Sequence, residues 1–137
     1  MAHVSGWGQT QNGSFPDRLL YANVTMRQLE TCKAALKKDR ITENMICAGG
    51  KQKEDACSGD SGGPLTCARN GTDGKQQRYL CGIVSFGIRC TERFYHRYPG
   101  VYTDVTKYHK WIQKHMRTWW TYHWSKIKYQ YSAVCSN

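Results

Sequence analysis

The eleven residues DACSGDSGGPL, Asp55 to Leu65, restrict the fold of this chain more than any other stretch. Gly59 precedes Asp60 and Ser61, while Gly62 and Gly63 follow them. Lacking Cβ atoms, these glycines let the backbone take sharp conformations that a side chain would forbid. Serine is a weak nucleophile, so a catalytic Ser needs an exposed hydroxyl, a nearby base and donors for the oxyanion. In such a loop the amides of Gly59 and Ser61 can converge on one oxygen. The same composition also suits a turn in a β protein, because Gly, Asp and Ser are common turn residues. The surroundings decide between the two.

Short strands broken by Gly, Asn, Asp and Pro surround this loop, at His3–Trp7, Leu19–Met26, Pro64–Cys67, Tyr79–Phe86 and Gly100–Val105. Their spacing fits an all-β barrel or sandwich. Two helices interrupt the pattern. LETCKAALKK places Leu29, Cys32 and Leu36 on one face, and a second helix starting near Asp104 carries Val105, His109, Ile112 and Met116 in a stripe. From Arg117 the sequence RTWWTYHWSKIKYQYSAVCSN is aromatic and basic with no clear period. The expected division is therefore 1–117, a barrel with its helix, and 118–137, a tail.

Seven cysteines without a CxxC pair imply an oxidised framework rather than zinc. N-x-S/T sequons at Asn12, Asn23 and Asn70 agree with a secreted, glycosylated origin. The first residues, MAHVSGWGQT, have neither the basic nor the apolar region of a signal peptide. Secretory chemistry without a leader is expected of a piece of a longer protein. The net charge of +10 is uneven: after Asp104 there is no acidic residue, while Lys107, Lys110, Lys114, Arg117, Lys126 and Lys128 are basic. That region reads as a solvated basic surface, or as a contact for polyanions such as glycosaminoglycans. No specific nucleic-acid partner is expected. The five histidines, His3, His96, His109, His115 and His123, read as solvent or packing residues, and those at 109, 115 and 123 share no helical face for a metal.

VSGWG (Val4–Gly8), MICAGG (Met45–Gly50), GDSGGPL (Gly59–Leu65), GIVSFG (Gly82–Gly87) and PGVYT (Pro99–Thr103) follow one another in the order found in one family, with YHKWIQKH as a closing helix. On these motifs the chain, from Val4 to Met116, resembles the chymotrypsin–trypsin family of serine proteases. The resemblance implies a six-stranded antiparallel Greek-key barrel with a C-terminal α-helix, the second barrel of such an enzyme. It further implies that Ser61 is the nucleophile and that Gly59 and Ser61 supply the oxyanion amides. Asp60 would pair with an α-amino group released by activation, and Ser85, Phe86 and Gly87 would hold an extended substrate strand. Asp55 matches the floor of the specificity pocket and Gly87 and Gly100 its walls, so the expected substrate is a protein or peptide with Arg or Lys before the scissile bond. No cofactor and no metal are expected. Disulfides Cys32–Cys47 and Cys57–Cys90 match the family. Cys67 normally pairs with a Cys where this chain has Ala2, so Cys67–Cys81 is the expected replacement, which leaves Cys135 odd.

The departures matter equally. The family takes its catalytic His and Asp from a preceding barrel, in contexts that do not occur here. The chain alone is expected to be inactive, with the missing N-terminal barrel of the same protease as a partner. The alternative is a non-catalytic, protease-like binding module. Phe86 replaces a usual Trp, and Arg89 stands where the family has Gly, at the pocket mouth. The loop from Thr91 to Tyr98 is a few residues longer than in trypsin.

Overall fold

The computed structural model describes residues 1–36, 41–49, 55–72, 74–87 and 98–117. Among the described residues there are seven strands: β1 (Ala2–Gly6), β2 (Leu20–Val24), β3 (Met26–Arg27), β4 (Met45–Ala48), β5 (Pro64–Asn70), β6 (Gln76–Phe86) and β7 (Gly100–Asp104). They form one sheet in the order β2-β1-β5-β6-β7-β4-β3, antiparallel throughout. The sheet's two outermost strands, β2 and β3, are consecutive in the chain and separated only by Thr25. Counted as one bent strand they make six, and the sheet curls into the nearly closed antiparallel barrel that the sequence implied. At the bend the Gly49 amide donates to the Thr25 carbonyl at 2.9 Å. Strand β4 was not legible as a strand in the sequence, although its residues lie in one of the quoted motifs.

Alternation explains the core. Ala2 and Val4 on β1 point inward, as do Val24 on β2 and Leu65 and Cys67 on β5, and they meet Val84 and Tyr102 from β6 and β7. Full burial of a side chain such as Leu65 contributes about 1.5–3 kcal/mol. Gly82 lies at a close crossing of the core, where a Cβ would come within 3.0 Å of the Leu65 side chain and 3.2 Å of Tyr102. A second cluster joins Cys32 and Leu36 to Cys47 and Val101. It fastens helix α1 (Leu29–Ala35) to the barrel, and the Cys32–Cys47 disulfide makes that fastening covalent. The helix has no side-chain N-cap. It is shorter than the sequence pattern implied, ending before Leu36, whose amide donates to the Cys32 carbonyl.

Cys67 and Cys81 are bridged, with Cα atoms 5.7 Å apart. Their geometry differs from the directly opposed pair expected for a cross-strand bridge. Cys67 lies opposite Tyr79; because Leu65 pairs with Gly82 and Thr66 with Leu80, Cys81 is the extra residue of a β-bulge. The bulge turns Cys81 into the core and lets it reach diagonally. Ala2 sits opposite Cys67 on the other side, so the small buried Ala leaves room for this arrangement. Cys57 is also disulfide-bonded; its expected partner Cys90 lies outside the described residues, as does Cys135.

The chain divides into two compact units, Met1–Thr106 and Lys107–Asn137. A 3₁₀ turn at Val105–Tyr108 leads into a helical stretch over 109–117. Within it His115 Nδ1 lies 2.8 Å from the Trp111 carbonyl oxygen. The tail beyond residue 117 lies outside the described residues.

Candidate active site

The Asp55–Pro64 segment reaches β5 through two successive tight turns. The Asp60 amide donates to the Cys57 carbonyl at 3.0 Å, and the Gly63 amide to the Asp60 carbonyl at 2.8 Å. Gly59 has φ +97° and Gly62 φ +83°, left-handed conformations that glycine adopts at little cost. Three further bonds anchor the loop. Gly62 donates to the Val84 carbonyl, Val84 donates to that of Gly63, and Gln9 donates to that of Ser58. Held between β1, β5 and β6, the loop presents Ser61 to solvent. Among the described residues, no hydrogen bond uses the amides of Gly59 or Ser61. A cavity of about 280 Å³ lies beside them, lined in part by Trp7, Leu19, Gly59, Asp60 and Ser61.

Asp60 turns the other way. Its Oδ1 accepts from the Gly8 amide at 2.7 Å and its Oδ2 from the Cys57 amide at 2.9 Å. A Cβ on either Gly6 or Gly8 would overlap its carboxylate. The glycine spacing in VSGWG thus makes room for a half-buried anion that the motif itself does not contain. Both Asp60 and Asp55 border a larger cleft of about 640 Å³, whose other wall is the 9–16 loop.

Asp55 is half-buried at the base of a second arrangement. Its Oδ1 accepts from the Ala56 amide at 2.8 Å and from the Tyr102 hydroxyl at 3.1 Å. Gly49 and Gly100 flank the carboxylate: a Cβ on Gly49 would overlap it, and one on Gly100 would stand 3.3 Å from Oδ1. Gly87 follows in the same row, where a Cβ would lie 3.6 Å from the Gly100 Cα. The structure thus brings Asp55, Gly100 and Gly87 together. Ser85 is left out of the β6–β7 ladder, because Val84 pairs with Tyr102 and Phe86 with Val101. Ser85, Phe86 and Gly87 are all exposed.

Two participants escaped the sequence reading. Tyr102, 1% exposed, supplies its hydroxyl to Asp55. Burial pushes its phenol far above the usual range, and the negative charge of Asp55 adds to that. The PGVYT motif carried the signal, since Gly100 and Tyr102 are two apart on a strand and therefore share a face. Phe15, 64% exposed, lies against Gly59, with a ring carbon 3.2 Å from where a Cβ would be. No periodicity marks Phe15, because it sits in a loop. His3 does not join Ser61; its ring stacks on Tyr21 and contacts Arg78 at 3.2 Å. Arg89 and the segment 91–97 lie outside the described residues.

A family model described as Trypsin matches residues 1–112. Kallikrein-12 of Homo sapiens is 43% identical to this chain over 119 residues, covering 84% of the chain and 43% of that protein. The chain thus spans less than half the length of this relative.

Proposed function

This chain belongs to the trypsin family, and we propose that it is the nucleophile-bearing part of a secreted serine endopeptidase that cleaves after Arg or Lys. One observation carries the reading: the loop that exposes Ser61 with two unengaged amides also begins at a half-buried carboxylate flanked by Gly49 and Gly100. Ser61 attacks the scissile carbonyl, and an imidazole from a preceding barrel takes its proton. The amides of Gly59 and Ser61 receive the oxyanion, each donor contributing about 2.7–4 kcal/mol in sites of this kind. Water then hydrolyses the acyl-enzyme. Asp55 selects a long cationic side chain, because other partners leave its charge unpaired in a partly desolvated slot. Ser85 to Gly87 align the substrate backbone as an added strand, a use that suits a residue left out of the ladder.

The caged Asp60 carboxylate is the anion on which the family's activation chemistry acts, and it borders the larger cleft. A released α-amino group entering there would complete its partners. No histidine of this chain stands in the family's setting for the base, so Ser61 in the isolated chain keeps an ordinary, unreactive hydroxyl.

An active-site phosphonylating probe tests both halves of the proposal. The isolated chain is expected to remain unlabelled. A longer precursor, after proteolytic activation, is expected to be labelled at Ser61 and to cleave peptides on the C-terminal side of Arg or Lys. Rapid labelling of the isolated chain would overturn its inertness. An activated precursor that resists the probe would overturn the protease reading and leave the binding-module alternative.

A further inference from the structure

We propose that Asn70, at the tip of the β5–β6 hairpin, is the acceptor of an N-linked glycan. Three tripeptides fit the acceptor pattern: Asn12-Gly13-Ser14, Asn23-Val24-Thr25 and Asn70-Gly71-Thr72. The fold separates them.

Asn70 is the last residue of β5 and is exposed. Its carboxamide makes no hydrogen bond among the described residues. Backbone bonds close the turn beyond it, with Gly71 donating to the Lys75 carbonyl at 2.8 Å and Gly74 to that of Gly71 at 3.1 Å. Thr72, whose hydroxyl the transferase must engage, is exposed in that turn. Residues 76–80 of β6 are exposed as well, so this end of the hairpin has left the barrel. A bulky polar chain on Asn70 Nδ2 therefore extends into water without displacing a packed group. At about 3.3 Å per residue, β5 carries Asn70 roughly 20 Å from Pro64, which keeps the glycan clear of the Ser61 loop.

The other two tripeptides are engaged. Asn23 lies within β2 opposite His3, Val24 is fully buried, and the Thr25 carbonyl receives the Gly49 amide at 2.9 Å. The whole tripeptide is the barrel's closing corner. Asn12 Oδ1 accepts from the Thr10 hydroxyl, from the Ser14 amide at 3.2 Å and from the Ser14 hydroxyl at 2.7 Å. The serine hydroxyl that transfer requires is thus spent inside its own loop, and Asn12 lines the cleft that holds Asp55 and Asp60.

A second observation points to the compartment. The Cys32–Cys47 and Cys67–Cys81 bridges need an oxidising lumen to form, the same lumen in which N-glycans are transferred. Cys67–Cys81 closes the hairpin that carries Asn70. The donor is an oligosaccharide linked to a polyprenyl diphosphate. Its C1–O bond to the diphosphate breaks, a C1–Nδ2 bond forms, Nδ2 loses one proton to the transferase's base, and the lipid diphosphate leaves.

Translating the full chain behind a cleavable secretory leader, in the presence of endoplasmic-reticulum microsomes, tests this directly. The wild type is expected to show a mobility shift that peptide-N-glycosidase removes, with Asp found at position 70 by peptide mapping afterwards. Thr72→Ala and Asn70→Gln are each expected to lose that glycan, while Thr25→Ala keeps it. Asn70 and Thr72 are both exposed at the hairpin tip, so neither substitution disturbs the packed barrel. A glycan pattern unchanged by Thr72→Ala, or no glycosidase-sensitive shift in the wild type, would overturn the proposal.

Discussion

Replacing Tyr102 by Phe removes one oxygen and little else, which makes it a sharp probe of the Asp55 carboxylate's setting. The ring is almost wholly buried, and its hydroxyl donates to Asp55 Oδ1 at 3.1 Å. Phe fills the same volume, so no cavity opens. What is lost is a hydrogen bond to a charged group in a partly desolvated setting, worth about 1.5–3 kcal/mol. At neutral pH Tyr102→Phe should therefore be less stable by that amount. The sign reverses in alkali. Folding raises the Tyr102 pKa above its unfolded value of 10.0, through burial first and the Asp55 charge second. The neutral phenol is thus favoured in the native state, and its contribution is complete below about pH 10. Above that, the unfolded state ionises while the native state does not. Wild-type stability then falls by about 1.4 kcal/mol per pH unit from this group alone. The variant has no such group, so the two stability curves should converge and meet roughly one to two units above pH 10. Urea unfolding of both proteins with disulfides intact, from neutral pH into alkali, measures the difference directly. Equal stability at neutral pH, or a gap that stays constant into alkali, would refute the Tyr102–Asp55 hydrogen bond.

Two other substitutions probe the Asp60 cage and the hairpin bridge. Gly8→Ala would place a methyl group against the Asp60 carboxylate and push it off the Cys57 amide. The expected cost is about 1–3 kcal/mol, and hydrogen exchange should show lost protection at the Cys57 amide; unchanged protection would count against the cage. Replacing both Cys67 and Cys81 by Ala removes a bridge of sequence separation 14. It should lower stability by about 3 kcal/mol in the chain-entropy account, read as a lower urea midpoint at similar slope. An unshifted midpoint would mean that the bulge, not the bridge, holds the hairpin.

The barrel was largely legible because strand alternation and glycine punctuation are local properties. Val4, Leu65, Val84 and Tyr102 fall on inward positions set by a period of two. The bulges were not legible. That Cys81 and Ser85 are the extra residues of their strands depends on how β6 matches β5 and β7, a register that neither strand encodes alone. Strand β4 was hidden for a related reason. Its four residues are too short for a period, and they become a strand only by pairing with β7 on one side and β3 on the other.

The sequence by itself determined the chemistry available: which loop carries Ser61, that glycines surround it, and that Asp55 stands six residues earlier. Covalent identity and local backbone freedom are enough for that. Only the tertiary structure decided what each group faces. It turned Asp60 inward onto amides from two separate segments, and set Tyr102 beneath Asp55 from 47 residues away. It also left Asn70 at a free hairpin tip while Asn23 became a barrel corner. Those outcomes come from strand register and burial, quantities that exist only once distant segments share a sheet.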